Sequence, residues 1–199
     1  MRVVCLLGSP RVNGNSTTMA RKFCEILKNA GAAIQYVSLN KLNYRGCQAC
    51  EVCKKTLDHC VLKDDLTNVL TDVSTSDVII FASPVYFGDV SAQLKGFIDR
   101  TYSYISAGYA DKISKPDISR LKPGKKAVMI FTQNAACDYH EDIFLQYKSL
   151  FKTFLGIDDM LLIRECGFRK LTDLKDHPGV MEKIELAAQQ LLDVSNPKI

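Results

Sequence analysis

Arg2-Val3-Val4-Cys5-Leu6-Leu7-Gly8-Ser9-Pro10-Arg11-Val12-Asn13-Gly14-Asn15-Ser16-Thr17 is an apolar run that breaks at a glycine and a proline and then turns polar. Apolar spacing at Met19, Phe23, Ile26 and Leu27 follows, the period of a helix covering one face of a core. A buried strand, a glycine turn and a helix form the repeating unit of a parallel α/β sheet. The unit recurs along the chain. Further strands are predicted near Ile34–Leu39, Val78–Ala82, Ala127–Thr132 and Met160–Arg164. Helical spacing appears at Leu66, Val69, Leu70 and Val73; at Val90, Leu94, Phe97, Ile98 and Thr101; at Ile143, Tyr147, Leu150, Phe151 and Phe154; and at Met181, Ile184, Ala188, Leu191 and Leu192. The fold class expected is α/β, a doubly wound five-stranded parallel sheet with helices on both faces.

The 199 residues, 47% apolar, suffice for one good core, so a single domain over residues 1–199 is expected. The apolar run at the amino terminus is too short for a signal peptide, and no later segment has the length of a membrane span. The expectation is a cytoplasmic protein with no membrane partner. Its eight cysteines then read as ligands, redox groups or core fillers rather than structural disulfides. A net charge of +4, spread without blocks of like sign, argues against a nucleic-acid partner.

Two stretches interrupt the alternation. The segment Asn43–Lys63 has neither period and reads as a loop ordered by whatever its cysteines bind; residues Ala107–Pro123 read as a mobile excursion. Cys47, Cys50 and Cys53 stand at successive three-residue steps, and Cys60 follows. One short peptide can wrap a cubane this way, presenting three sulfurs to three irons with the fourth ligand supplied from outside the run. Structural zinc usually takes two pairs of ligands a dozen or more residues apart, a pattern that six intervening residues do not make. Zinc and a metal-free thiol or disulfide loop remain the competitors to a [4Fe-4S] cluster. Lys54 and Lys55 would offset the charge of a thiolate-bound cluster, or simply form a solvated face.

The turn after the first strand is neither a dinucleotide nor a P-loop motif. The hydroxyls of Ser9, Ser16 and Thr17, the amide of Asn15, the guanidinium of Arg11 and the N–H groups of a helix start all suit a terminal phosphate. A glycine turn with a Ser/Thr N-cap is the plainer alternative, and it leaves Ser9 and Arg11 unexplained. Ligands of open α/β sheets collect beyond the carboxyl ends of the strands at the switch point. There Pro84, Val85, Tyr86 and Phe87 would offer a stiff aromatic loop to a flat ring, and Thr132 and Asn134, in the loop after the fourth strand, would reach its other side. Tyr86 and Phe87 could instead be core aromatics.

Gly8-Ser9-Pro10-Arg11 with Gly14-Asn15-Ser16-Thr17, and Ser83-Pro84-Val85-Tyr86-Phe87 with Ser91 to Arg100, resemble the flavodoxin-like NADPH-dependent FMN reductase superfamily. With the cysteine run and Lys63-Asp64-Asp65 the chain is similar to the iron–sulfur flavoproteins of anaerobic prokaryotes. Matching motifs run from Met1 to about Arg100, and beyond that only the order of elements agrees. The resemblance implies strand order 2-1-3-4-5, FMN, and one [4Fe-4S] cluster per subunit of a homodimer or homotetramer. It implies electron transfer between a reductant and an acceptor, since flavin handles pairs of electrons and a cubane single ones. NAD(P)H is a candidate donor, and a ferredoxin or another one-electron carrier a candidate partner, beside a small-molecule redox substrate. No catalytic acid, base or nucleophile is assigned.

Cys5 and Cys24 read as core thiols, and Cys137 and Cys166 as a chance pair of free thiols. His59 reads as a stray ligand or a hydrogen-bond donor to sulfur, and His140 and His177 lack a partnered nucleophile, so hydrolase readings have no support. Two other functions stay open: an NAD(P)H-dependent FMN or quinone reductase without a cluster, and a non-enzymatic redox carrier or sensor.

Overall fold

The computed structural model describes residues 1–113, 115–168, 170 and 177–195. In chain order the elements are β1 (Arg2–Leu7), α1 (Asn15–Asn29), β2 (Ala33–Ser38), α2 (Val52–Lys55), α3 (Leu66–Thr75), β3 (Val78–Tyr86), β4 (Asp89–Val90), α4 (Ala92–Arg100), β5 (Lys126–Thr132), α5 (Asp142–Leu150), β6 (Asp159–Glu165) and α6 (Pro178–Ser195). The strands order as β2-β1-β3-β5-β6, and every pairing along that path is parallel. This is the expected order with one addition. The two-residue β4 pairs antiparallel with the end of β3, Val85 opposite Val90, and puts Val90 in a strand instead of at the head of α4.

Period-two alternation builds the two cores. Val4, Leu6, Ile79, Phe81, Ala127, Met129 and Phe131 face one side, beneath Val69 and Val73 of α3, Leu94 and Phe97 of α4 and Ile143 and Tyr147 of α5. Val3, Cys5, Leu7, Val78, Ile80, Ala82, Val128 and Ile130 face the other, beneath Met19, Phe23, Cys24 and Leu27 of α1 and Ile184, Ala188 and Leu191 of α6. Strands buried on both faces must be apolar at every position, which is why β1, β3 and β5 were readable as continuous apolar runs.

The two irregular stretches are more ordered than their composition suggests. Residues 107–123 were expected to be mobile, yet Ile105 bridges Ser119, and Ile118 and Leu121 are buried in the core. The cysteine loop contains the short helix α2 and is held by three cations. Arg100 donates to the carbonyls of Arg45 and Leu62, Arg120 to those of Cys53 and Asp58, and the Lys54 ammonium to those of Tyr102 and Ile105. Protein groups, and not only a ligand of the cysteines, therefore organise this loop.

Candidate functional site

The carboxyl ends of β1, β3 and β5 converge where the sheet order reverses. Gly8 N–H donates to the Ala82 carbonyl at 2.8 Å, Ser91 Oγ donates to the Gly8 carbonyl at 2.7 Å, and Ser91 N–H donates to Ser83 Oγ at 2.9 Å. These bonds lock the turn after β1 to the turn after β3. Ser83 and Ser91 are both wholly buried, so they hold the loops and do not face a ligand.

Above this floor lies a cleft of about 270 Å³ lined by Ser9, Arg11, Gly14, Asn15, Ser16, Pro84, Val85, Tyr86, Thr132, Gln133, Asn134 and Phe168. Nine of the eleven residues proposed from sequence for this site are in that lining. The other two are not: Thr17 is buried within α1, and Phe87, at φ 49°, is fully exposed on the tip between β3 and β4. Gly14 and Gln133 belong to the loops read from sequence as flanking the site, and Phe168 was not anticipated in the lining.

The start of α1 bears on the two sequence readings of its turn. Its N-cap is Gly14, and no side chain caps it. An ordinary Ser/Thr cap is thus absent. A Cβ at Gly14 would stand 2.6 Å from Ser9 Oγ and 3.2 Å from the Arg11 carbonyl, which fits a backbone wrapped tightly enough to need glycine. Ser9 Oγ accepts from the Arg11 N–H at 3.1 Å, the Arg11 side chain is exposed, and Asn15 Nδ2 donates to the Lys170 carbonyl at 3.0 Å. Donors with a helix N-terminus behind them are a chemistry for anions.

Gln133 organises the third wall. Its amide nitrogen donates to the carbonyls of Ala136 at 2.6 Å and Tyr139 at 3.1 Å, and its Oε1 accepts from Arg164 at 2.8 Å. The cysteines Cys137 and Cys166, expected as free thiols, are joined in a disulfide with Cα atoms 5.4 Å apart. The register that sets Thr132 beside Glu165 carries the two strand ends out side by side, and so brings the thiols together.

The other four candidate ligands surround a second, much smaller space. Cys47, Cys50, Cys53 and Cys60 line a cavity of about 10 Å³ together with Arg100, Tyr102 and Ser103. Among the described residues no group of three His, Cys, Asp or Glu side chains stands ready as a metal site, so the thiols share a cavity without meeting at a point. Ala49 and Glu51, with φ of 50° and 58°, stand in the left-handed region within the run. Arg100 Nε is buried in this lining without a partner. Burial pushes the Cys53 thiol up against the opposing charges of Lys54 and Arg120. His59 does not reach sulfur but pairs its Nδ1 with Asp58 at 2.7 Å. Lys54 lies 4.0 Å from the centre of the Tyr102 ring, and Lys55 pairs with Glu51 at 3.2 Å.

Residues 1–119 match the family model described as NADPH-dependent FMN reductase. An iron-sulfur flavoprotein of Methanocaldococcus jannaschii is 38% identical over 101 residues, 51% of this chain and 52% of that protein. One of Archaeoglobus fulgidus is 40% identical over 106 residues, 52% of this chain and 47% of that protein. The chain spans about half the length of the curated relatives it matches. Among solved structures, an FMN-dependent NADH-azoreductase of Bacillus anthracis in complex with FMN superposes with a TM-score of 0.72 at 17% identity, covering 96% of this chain and 99% of the other. An NAD(P)H:quinone oxidoreductase of Methanothermobacter marburgensis gives 0.71 at 19% identity, with 96% of each chain covered. At these identities the two structures bear on the fold, which is flavodoxin-like. Among the described residues no helix is long and apolar enough to cross a membrane.

Proposed function

The chain belongs to the NADPH-dependent FMN reductase family, and from that premise we propose that it is a flavin-dependent oxidoreductase that binds FMN in the cleft at the ends of β1, β3 and β5. The observation that carries this reading is the uncapped start of α1 opening into that cleft beside Ser9 and Ser16. A helix start of this kind would suit a terminal phosphate dianion. Ser9, Asn15, Ser16 and the exposed end of Arg11 would hold the phosphate, with Thr17 supporting the turn from beneath. Pro84, Val85 and Tyr86 on one side and Thr132, Gln133 and Asn134 on the other would flank the ring. Phe87, on its exposed tip, is placed to cover an incoming substrate rather than the flavin. No side chain is given an acid, base or nucleophile role.

The same reading places a [4Fe-4S] cluster on Cys47, Cys50, Cys53 and Cys60. The donor set suits it: four thiols on one cavity, left-handed residues that bend the run, and an unpartnered buried guanidinium nitrogen suited to bonding sulfur. Bound together, flavin and cluster would allow exchange between two-electron and one-electron carriers. NAD(P)H or another reductant would then be the donor, and a small molecule or a one-electron carrier such as a ferredoxin the acceptor. Residues 1–199 would act as one domain, cytoplasmic and assembled as a homodimer or homotetramer. The narrowness of the cysteine cavity favours a second reading, a reductase whose thiol loop stays empty.

Anaerobic purification followed by flavin release, chromatography and iron analysis tests both. FMN with about four irons per chain supports the full proposal. FMN without iron selects the second reading, and FAD as the dominant flavin would overturn the site.

A further inference from the structure

We propose that Cys137 and Cys166 form a thiol–disulfide redox site whose state sets how tightly the cleft holds its flavin. The proposal rests on FMN occupying the cleft. It starts from position: Cys137 lies three residues after Asn134, and Cys166 two before Phe168, and both of those neighbours line the cleft. The disulfide therefore staples the turn after β5 to the segment after β6, the two pieces of chain that form one wall.

Without the staple, the turn after β5 is held by hydrogen bonds, those of the Gln133 side chain included, while across from it Phe168 packs into the core. Gln133 N–H donates to the Glu165 carbonyl at 3.0 Å, Phe168 N–H to that of Gln133 at 3.1 Å, and Gly167 N–H to that of Ala135 at 3.2 Å. Asn134, Ala136, Cys137, Asp138 and Tyr139 are exposed or partly so and add little apolar packing. Segments held this way open at low cost, and a ligand that must order them again binds more weakly.

The sulfurs can be reached. Cys137 is exposed and Cys166 half-buried, whereas Cys5 and Cys24 are sealed in the core at 0% exposure. The step balances with a thiol of low molecular weight as co-reactant. A thiolate attacks one sulfur, the Cys137–Cys166 bond breaks as a mixed disulfide forms, and a second thiolate releases the protein thiol. Two Cys thiols and one small disulfide result, with two electrons and two protons taken up by the protein. The corresponding small disulfide reverses the step.

The test uses the full chain, freed of FMN and equilibrated in reduced or oxidised glutathione buffers. Differential alkylation with peptide mapping reports Cys137 and Cys166, and quenching of flavin fluorescence reports the FMN Kd. Reduction of this pair is expected to weaken FMN about tenfold, the cost of ordering a freed wall. The double variant Cys137→Ser, Cys166→Ser is expected to bind weakly in both buffers. Full alkylation of both cysteines in the oxidised buffer, equal measurable affinities in the two states, or a shift that persists in the double variant would each overturn the switch. Absence of FMN binding in either state is a different result, which sinks the flavin reading itself and this proposal with it.

Discussion

Arg100 shows how much one side chain can organise. Its guanidinium is fully shielded, donates to the Asp64 carboxylate at 2.7 and 3.3 Å and to the Arg45 carbonyl at 2.9 Å, and faces Cys60, so it ties both ends of the cysteine loop to the end of α4. Partial burial pushes the Asp64 carboxyl up, but the hydrogen bond and charge of Arg100 outweigh it and hold the group below the usual carboxylate range. A carboxyl depressed in the folded state stabilises fully above its unfolded pKa of about 4 and loses that as pH falls through the lower folded value. Arg100→Met would leave the shielded Asp64 carboxylate without its counter-charge, keeping only its backbone N–H bonds from Leu66 and Arg45, at a cost of about 3–5 kcal/mol. Urea unfolding of metal-free protein should show that deficit at pH 7, narrowing below about pH 4 as the carboxyl protonates in the unfolded chain and in the variant, and closing further as pH falls through the lower folded value of the wild type. A deficit that stayed constant with pH would mean that the ion pair is not its source. Nothing in the local sequence marks Arg100 for this role, because it ends a helix where an exposed arginine is ordinary.

Between elements, the close approach that shapes the cleft is that of the β1 turn to α4. A Cβ on Gly8 would stand 2.8 Å from Leu94 Cβ, 2.9 Å from Ser91 Oγ and 3.2 Å from the Ala82 carbonyl, and Ser91 also caps α4 by accepting from Leu94 N–H. Gly8→Ala should force these elements apart and destabilise the protein by about 1–3 kcal/mol, the usual cost of overpacking. Thermal unfolding would register roughly 2–4 °C for each kcal/mol in a chain of this size. An unchanged midpoint would show that the contact relaxes freely. Elements of this kind were legible where one period or one composition determines them: β1, β3 and β5 are apolar throughout because both faces are covered, and the cysteine spacing is local. The Cys137–Cys166 bridge, Phe168 in the cleft lining and the strand β4 were not. The first two depend on the register of β5 against β6, and two residues of β4 are too few for any period to appear.

For the molecule as a whole, the arrangement of α4 relates the two sites. Ser91, at its start, is bonded to the floor of the cleft, and Arg100, at its end, lines the cysteine cavity, so nine helical residues, about 13 Å at 1.5 Å each, separate them. Tyr44 donates to the Gln93 carbonyl and Arg100 to that of Arg45, which lays the start of the cysteine loop along this helix. The loop is thus anchored by α4, Arg120 and Lys54 whatever its thiols hold, and the cleft uses no residue from it. Loss of a cluster should therefore leave the flavin site intact. Cys50→Ser removes the proposed ligand at the middle of the run, where the side chain is exposed and supports no core. The variant is expected to keep FMN and its reduction by a strong chemical reductant, to lose its iron, and to pass electrons slowly to a one-electron acceptor such as a ferredoxin. Iron content, flavin content and ferredoxin-linked turnover of anaerobic preparations are the measurements. If wild type carries about four irons per chain and the variant keeps the same iron and turnover, Cys50 is not a ligand and the cluster does not belong to this loop. If iron and FMN are lost together, the two sites are coupled through α4 and the separation drawn here fails.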